Sequence, residues 1–234
     1  MSPSRFPDTR ISLIERLRQS EPEQQRDAAD LLVRAYRTPV LATLAWRWNL
    51  QPADAEDLTQ AFFAAALQKR WFDTFDPQRG RFRTFVRMAA ERFATNTHQA
   101  ANRQKRGGDS INLSLDDLQD TLPSGDNEME RRFREEWVRS VFDLALGALR
   151  AEAAERNRLV HLALFEGYDL VDDGRPTYAT MAATHGLSES EVINHLAWAR
   201  RRFRNHVLEV MRQLAGSDAE YREDVRDLLG FAAP

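Results

Sequence analysis

Basic residues concentrate in one segment of the chain, where aromatic residues alternate with them. Eight Lys or Arg residues and a single acid, Glu91, lie between positions 79 and 106. Guanidinium groups bind phosphates, and aromatic rings stack on unpaired bases. This segment therefore predicts a local nucleic-acid surface, although the net charge of the whole chain is only −3. Nine acids and three arginines follow between positions 109 and 136. The alternative interpretation is that the basic and the acidic segment are two ordinary solvated faces, which would show the same charge pattern.

A second group of polar and basic residues lies in segment 177–204. Gly186 suits a left-handed helix end, and Ser188 with Glu191 has the spacing of a capping box that starts the next helix. Apolar residues then recur every three or four positions. This pattern is typical of a helix-turn-helix whose second helix enters the major groove, with a plain helical hairpin as the alternative. The residues expected to meet DNA are Ser188, Glu189, Ser190, Asn194, His195, Arg200, Arg201 and Arg204.

Helices must position both groups, because apolar residues recur at helical spacing along most of the chain. We predict an all-α fold of two small helical domains joined by a flexible acidic linker, which Gly107 and Gly108 open. The predicted helices cover residues 31–48, 54–67, 83–101, 129–148, 152–166, 178–184, 189 onward and 219–229. The predicted domains are residues 1–106 and 129–213, with a linker over 107–128 and an extension over 214–234.

The composition argues against an enzyme. The chain has no cysteine, and its five histidines lack metal-ligand spacing. The Gly107-Gly108 pair lacks the ending of a phosphate-binding loop. We therefore expect no catalytic residue, no metal and no cofactor. The first residues lack a signal-peptide pattern and no apolar run is long enough to span a bilayer, so we expect a cytoplasmic protein without membrane insertion.

Two motifs occur in a specific order. The first is an acidic helix start followed by an aromatic loop and a basic helix, in residues 54–94, and it resembles region 2 of bacterial sigma factors, in particular the extracytoplasmic-function (ECF) group. Its matching residues are Asp54-Ala55-Glu56-Asp57-Leu58, Phe75-Asp76-Pro77, Gly80 and Phe82-Arg83. Residues 177–204 resemble region 4 of the same group. The matching residues there are Tyr178, Ala182, Gly186, Leu187, Ser188, Val192, Leu196, Ala199, Arg200 and Arg202.

The resemblance implies a sigma factor, with core RNA polymerase and promoter DNA as partners. The acidic helix would dock on the basic clamp helices of the polymerase through Asp54, Glu56, Asp57 and Gln60. The basic helix would bind and help melt the minus-ten element, with loop 71–79 as the pocket for a promoter base. The residues implied for minus-ten DNA are Arg79, Arg81, Phe82, Arg83, Phe85, Arg87, Arg92 and Asn96. The second helix of the helix-turn-helix would bind the minus-thirty-five element.

The docking helix departs from the family pattern. Ala61 stands where an acid is common, and Thr59 stands where an aliphatic residue is frequent. A phosphate on Thr59 would add roughly −1.5 to −2 charges and restore an acidic docking face. This suggests activation by a Ser/Thr kinase, with a neutral helix residue as the simpler interpretation, while an anti-sigma factor is the usual control in the family. The competing function is a conventional helix-turn-helix regulator that binds duplex DNA without polymerase.

Overall fold

A computed structural model describes residues 13–19, 21–104 and 127–230, and these residues form α-helices, two short 3₁₀ turns and no strand. The predicted all-α class is confirmed. None of the helices in these ranges is long and apolar enough to cross a membrane. The helices are α1 (Leu13–Arg18), α2 (Pro22–Trp48), α3 (Pro52–Gln68), α4 (Phe82–Gln104), α5 (Asn127–Glu155), α6 (Leu159–Asp169), α7 (Tyr178–His185), α8 (Glu189–Leu214) and α9 (Asp218–Leu229).

Local sequence explains most helix ends. Asn49 closes α2 in the left-handed conformation, with φ of 49°, and Pro52 occupies the first turn of α3. Ser217 caps α9 by accepting a hydrogen bond from the Glu220 N–H at 3.2 Å. Gly230 ends the same helix with φ of 71°.

The helices after residue 150 depart from the prediction. The expected single helix over 152–166 is wrong, because α5 continues to Glu155 and α6 starts only at Leu159. Asn157 separates the two helices in the left-handed conformation, with φ of 54°, which an asparagine tolerates better than most residues. Helix α6 then extends to Asp169, three residues beyond the predicted helix end at 166. Helix α1 is an element that the sequence pattern did not predict.

The chain divides into two compact units. The first unit comprises residues up to Ser140 together with those from Arg212 onward, and the second unit is Val141–Met211. The division falls within α5 and within α8. The predicted domain bounds stay a prediction, and most of the proposed linker lies outside the described residues.

The core of the first unit is rich in aromatic side chains from α2, α3, α4 and the loop between α3 and α4. Phe62 lies at its centre, with ring centroids 6.3 Å from Phe72 and 5.9 Å from Phe93. The start of α5 adds Phe133, whose ring stacks on Tyr36 at 6.4 Å. These rings are buried or nearly so, and burying them supplies the main driving force that holds α4 in place.

The second unit has a smaller core in which α8 packs on α5, α6 and α7. Its buried residues are Leu149, Leu164, Phe165, Met181, Ala182, Val192, Leu196 and Ala199. The last three recur at helical spacing on α8, so this helix has one buried face and presents the opposite face to solvent.

Candidate functional site

The acidic start of α3 presents the residues predicted to dock on polymerase. Asp54, Asp57 and Gln60 are exposed, and Glu56 is half-buried. The Gln60 side-chain amide donates to Glu56 Oε1 at 2.9 Å, and the Arg37 guanidinium also pairs with this carboxylate. These hydrogen bonds lower the pKa of Glu56. The start of α3 is therefore an acidic surface whose freely presented charges are those of Asp54 and Asp57.

Thr59 lies in the core and not on this acidic surface. Its side chain is fully buried, and its hydroxyl donates to the Ala55 carbonyl oxygen at 2.7 Å. The exposed position implied by the phosphorylation hypothesis is wrong, because Thr59 shares the inward face of α3 with Ala55, Phe62 and Ala66.

The loop between α3 and α4 holds its aromatic side chains inward. Trp71, Phe72 and Phe75 are buried, whereas Arg79 is exposed with its Nε 3.9 Å from Asp76. The loop surface available to a ligand is thus polar, with Asp76 and Arg79 as its exposed charges.

The start of α4 is covered by acidic side chains from α9. Arg81 Nη1 lies 3.0 Å from Asp224 Oδ1 and 3.2 Å from Asp227 Oδ2, and Arg81 Nη2 lies 3.0 Å from Glu223 Oε2. Arg83 is buried, pairs with Asp224, and has its guanidinium 5.2 Å from the centre of the Trp137 ring. Two of the arginines expected to meet minus-ten DNA are thus bound to the C-terminal helix.

The next turns of α4 pack against α5. Arg87 is buried, donates from Nε to Glu130 Oε2 at 2.9 Å and pairs with Glu91. Thr84 donates to the other Glu130 oxygen at 3.0 Å. Of the other residues predicted to bind minus-ten DNA, Phe82 is fully buried, while the half-buried ones are Phe85, Arg92 and Asn96.

The turn between α7 and α8 has the predicted capping. Gly186 adopts φ of 66°, and the Ser188 N–H donates to Glu191 Oε2 at 2.8 Å. The Glu191 N–H donates in return to Ser188 Oγ at 3.3 Å. The reciprocal pair is a capping box and orients the first turn of α8.

The first turns of α8 present most of the residues predicted to read DNA. The exposed ones are Ser188, Glu189, Ser190, Asn194, Arg201 and Arg204. Arg200 is exposed but binds Asp169 through two hydrogen bonds of 2.8 and 2.9 Å.

His195 is half-buried, with its ring 3.8 Å from that of His161. Burial and the nearby His195 lower the pKa of His161 to about 4, so this imidazole is neutral at neutral pH.

Sequence reasoning missed a buried acid that joins α5 to α8. Glu152 Oε2 lies 2.9 Å from Arg202 Nε and 2.8 Å from His206 Nε2. Burial raises the pKa of Glu152, but the hydrogen bonds from Arg202 and His206 outweigh it, and the pKa is lowered from 4.5. A lone acid in a helix carries no sequence signal for such a role. Among the described residues, no cluster of three or more His, Asp or Glu side chains could hold a metal ion.

Replacing Glu152 by alanine should destabilise the second unit by about 2 kcal/mol, since Arg202 and His206 would lose a buried hydrogen-bonding partner that is only partly replaced by water. The lowered pKa adds a pH dependence. The stabilisation is complete above pH 4.5 and is lost as the pH falls below 4.5 through the folded-state pKa. Urea unfolding at pH 7 and pH 3.5 measures both effects. An equal loss from Glu155→Ala, on the same helix but exposed, would contradict the assignment.

Comparison with known proteins agrees with the geometry of the first unit. Residues 32–104 match the family Sigma-70 region 2, a range that begins in α2 and ends with α4. No curated protein and no solved structure matches the chain significantly. The matched range contains the acidic start of α3, the aromatic loop and the basic helix in the order that the sequence indicated. Residues 32–104 are therefore a Sigma-70 region 2, and this match supports a sigma-70 family RNA polymerase sigma factor.

Proposed function

We propose that the chain is a sigma factor of the ECF group that docks on core RNA polymerase through α3. The observation that carries the proposal is that Asp54, Asp57 and Gln60 are exposed on one helix inside the matched region 2. Acidic side chains at the rim of an interface raise the rate of association with a basic surface and fix its register.

Promoter DNA is the second partner in this proposal. Arg79 is exposed at the loop before α4, and Arg81 follows at the helix start, where guanidinium groups can hold the phosphates of the minus-ten element. The second unit would bind the minus-thirty-five element as a region 4-like domain. The exposed Ser190 and Asn194 lie where groove-reading side chains are expected, and the exposed Arg201 lies where phosphate contacts are expected.

Transcription with core RNA polymerase and a genomic DNA library as template tests the proposal. We expect discrete start sites from the wild type. The double substitution Asp54→Lys and Asp57→Lys should weaken polymerase binding by about tenfold, because two attractive charges become repulsive. Asp172→Lys with Asp173→Lys makes the same charge change in an exposed segment of the second unit and should bind polymerase like the wild type.

A different result would identify the rival function. Sequence-specific binding to duplex DNA with no polymerase binding would favour a conventional helix-turn-helix regulator. Arg83→Ala and Arg87→Ala are unsuitable as tests of DNA contact, because both side chains are buried in ion pairs and their loss acts on the fold.

Control by a Ser/Thr kinase at Thr59 remains a proposal, and the burial of Thr59 means that region 2 must first open. A kinase reaches this hydroxyl only after α3 has left its packing against α2 and α4, because the side chain is fully buried. The switch would therefore act on an opened region 2 and not by adding charge to the acidic surface of the folded one.

A further inference from the structure

Helix α9 is strongly amphipathic, and its inward face carries acids as well as apolar residues. Tyr221 and Val225 are buried, as are Glu220 and Asp224. Buried carboxylates require partners. Glu220 Oε1 accepts a hydrogen bond from the Phe82 backbone N–H at 2.9 Å, and its Oε2 accepts one from the Gly216 N–H at 2.9 Å. Helix α9 is thus bound to the first residues of α4 by polar contacts.

Arg81 is the centre of this contact. Three carboxylates of α9, those of Glu223, Asp224 and Asp227, lie within 3.2 Å of its guanidinium, and the Asp224 carboxylate also pairs with Arg83. A guanidinium binds closely spaced anionic oxygens. Successive carboxylates along a helix edge present such oxygens, as do successive phosphates along a nucleic-acid strand. The acids of α9 therefore occupy the oxygen positions that a nucleic-acid backbone would need at Arg81.

The approach of α9 also depends on a glycine before it. A Cβ atom at Gly216 would lie 2.4 Å from Phe75 Cε1, so any larger residue would require either the Phe75 ring or the start of α9 to shift. Gly216 lies in the short connection between α8 and α9, so it allows the start of α9 to approach the loop closely.

We propose that α9 is an intramolecular competitor for promoter DNA, which covers Arg81 in the free chain and leaves it when a nucleic-acid strand binds. This inference rests on the proposed function only in taking the start of α4 as a DNA surface. Helix α9 is held partly by ion pairs whose charges reach solvent, since the side chains of Glu223 and Asp227 are 53% and 40% exposed. A polyanion and salt compete with such pairs, whereas they compete little with a buried apolar contact.

The test measures binding of a fluorescein-labelled, mixed-sequence 20-nucleotide single strand to the full chain without polymerase. Asp227→Asn removes one carboxylate from Arg81 at an exposed position, so the fold should persist. Its affinity for the strand should rise by about two- to fivefold, the range expected for loss of an exposed ion pair that competes with the ligand. Asp218→Asn makes the same change on the same helix at an exposed residue away from Arg81, and its affinity should equal that of the wild type.

Two further measurements decide whether α9 itself moves. In an Arg81→Ala background, Asp227→Asn should no longer change the affinity, because the guanidinium for which α9 and the strand compete is absent. Amide hydrogen exchange over Asp218–Leu229 should be slow in the free chain and fast in the DNA-bound chain, while exchange in α2 and α3 stays slow. Equal affinities for Asp227→Asn and Asp218→Asn, or amides of α9 that stay protected with DNA bound, would overturn the proposal. Polymerase is absent from these assays, so their result does not depend on polymerase binding. A chain that fails to bind polymerase would contradict the proposed function without contradicting the role of α9.

Discussion

Replacing Arg83 by alanine should destabilise the first unit by about 3–5 kcal/mol, the range found when one partner of a buried ion pair is removed. Arg83 and Asp224 are 3% and 5% exposed, so water cannot replace the lost guanidinium, and Asp224 would keep only its contact with Arg81 at 3.0 Å. The buried Glu220 carboxylate lies in the same cluster, and its pKa is already raised by burial. The Arg83 guanidinium also covers the Trp137 ring, so packing is lost together with charge. Urea unfolding followed by circular dichroism measures the change.

Arg79→Ala is the matched control for this prediction. Arg79 has the same side chain four positions earlier in the chain, but it is exposed and its ion-pair contact is 3.9 Å long. Its replacement should leave the unfolding midpoint almost unchanged while it weakens DNA binding. An Arg83→Ala protein as stable as the wild type would contradict the structural role of the pairing between Arg83 and Asp224.

Replacing Thr59 by aspartate should destabilise the first unit by about 3 kcal/mol, because a carboxylate would be placed among apolar side chains without a cation. The hydroxyl of Thr59 is satisfied inside its own helix, and the neighbouring inward positions are Ala55, Phe62 and Ala66. A phosphate is larger and more highly charged than a carboxylate, so the same packing excludes it. Thermal or urea unfolding of the full chain measures the effect.

Thr95→Asp supplies the control for the substitution at Thr59. Thr95 makes the same type of contact, from its hydroxyl to the carbonyl oxygen four residues earlier at 2.9 Å, but it is exposed. Its replacement should change stability little. A Thr59→Asp protein as stable as the wild type would contradict the burial of this site. It would indicate that Thr59 is exposed on the acidic surface, where phosphorylation could act by charge alone.

Local features of this chain were predictable because their signals are local. The helical spacing of apolar residues predicted α4 and α8, and the Gly186, Ser188 and Glu191 pattern predicted the turn between α7 and α8 with its capping box. The order of the acidic helix start, the aromatic loop and the basic helix indicated the sigma-factor family. The helix and capping signals come from side chains a few positions apart, and the family signal comes from the order of motifs along residues 54–94, so neither needs a tertiary contact to be recognised.

The tertiary structure alone decided which polar residues reach solvent. Arg83 and Arg87 are spaced like surface residues of a basic helix, yet each is buried against an acid from a distant part of the chain, Asp224 for Arg83 and Glu130 for Arg87. Thr59 likewise follows the exposed Asp54 and Asp57 but faces the core. Helical periodicity indicates which residues share a face, and it does not indicate which element covers that face. The partners lie 43 and 141 positions away from these arginines, so only the packing of α5 and α9 on α4 could reveal that this basic surface is already paired with acids.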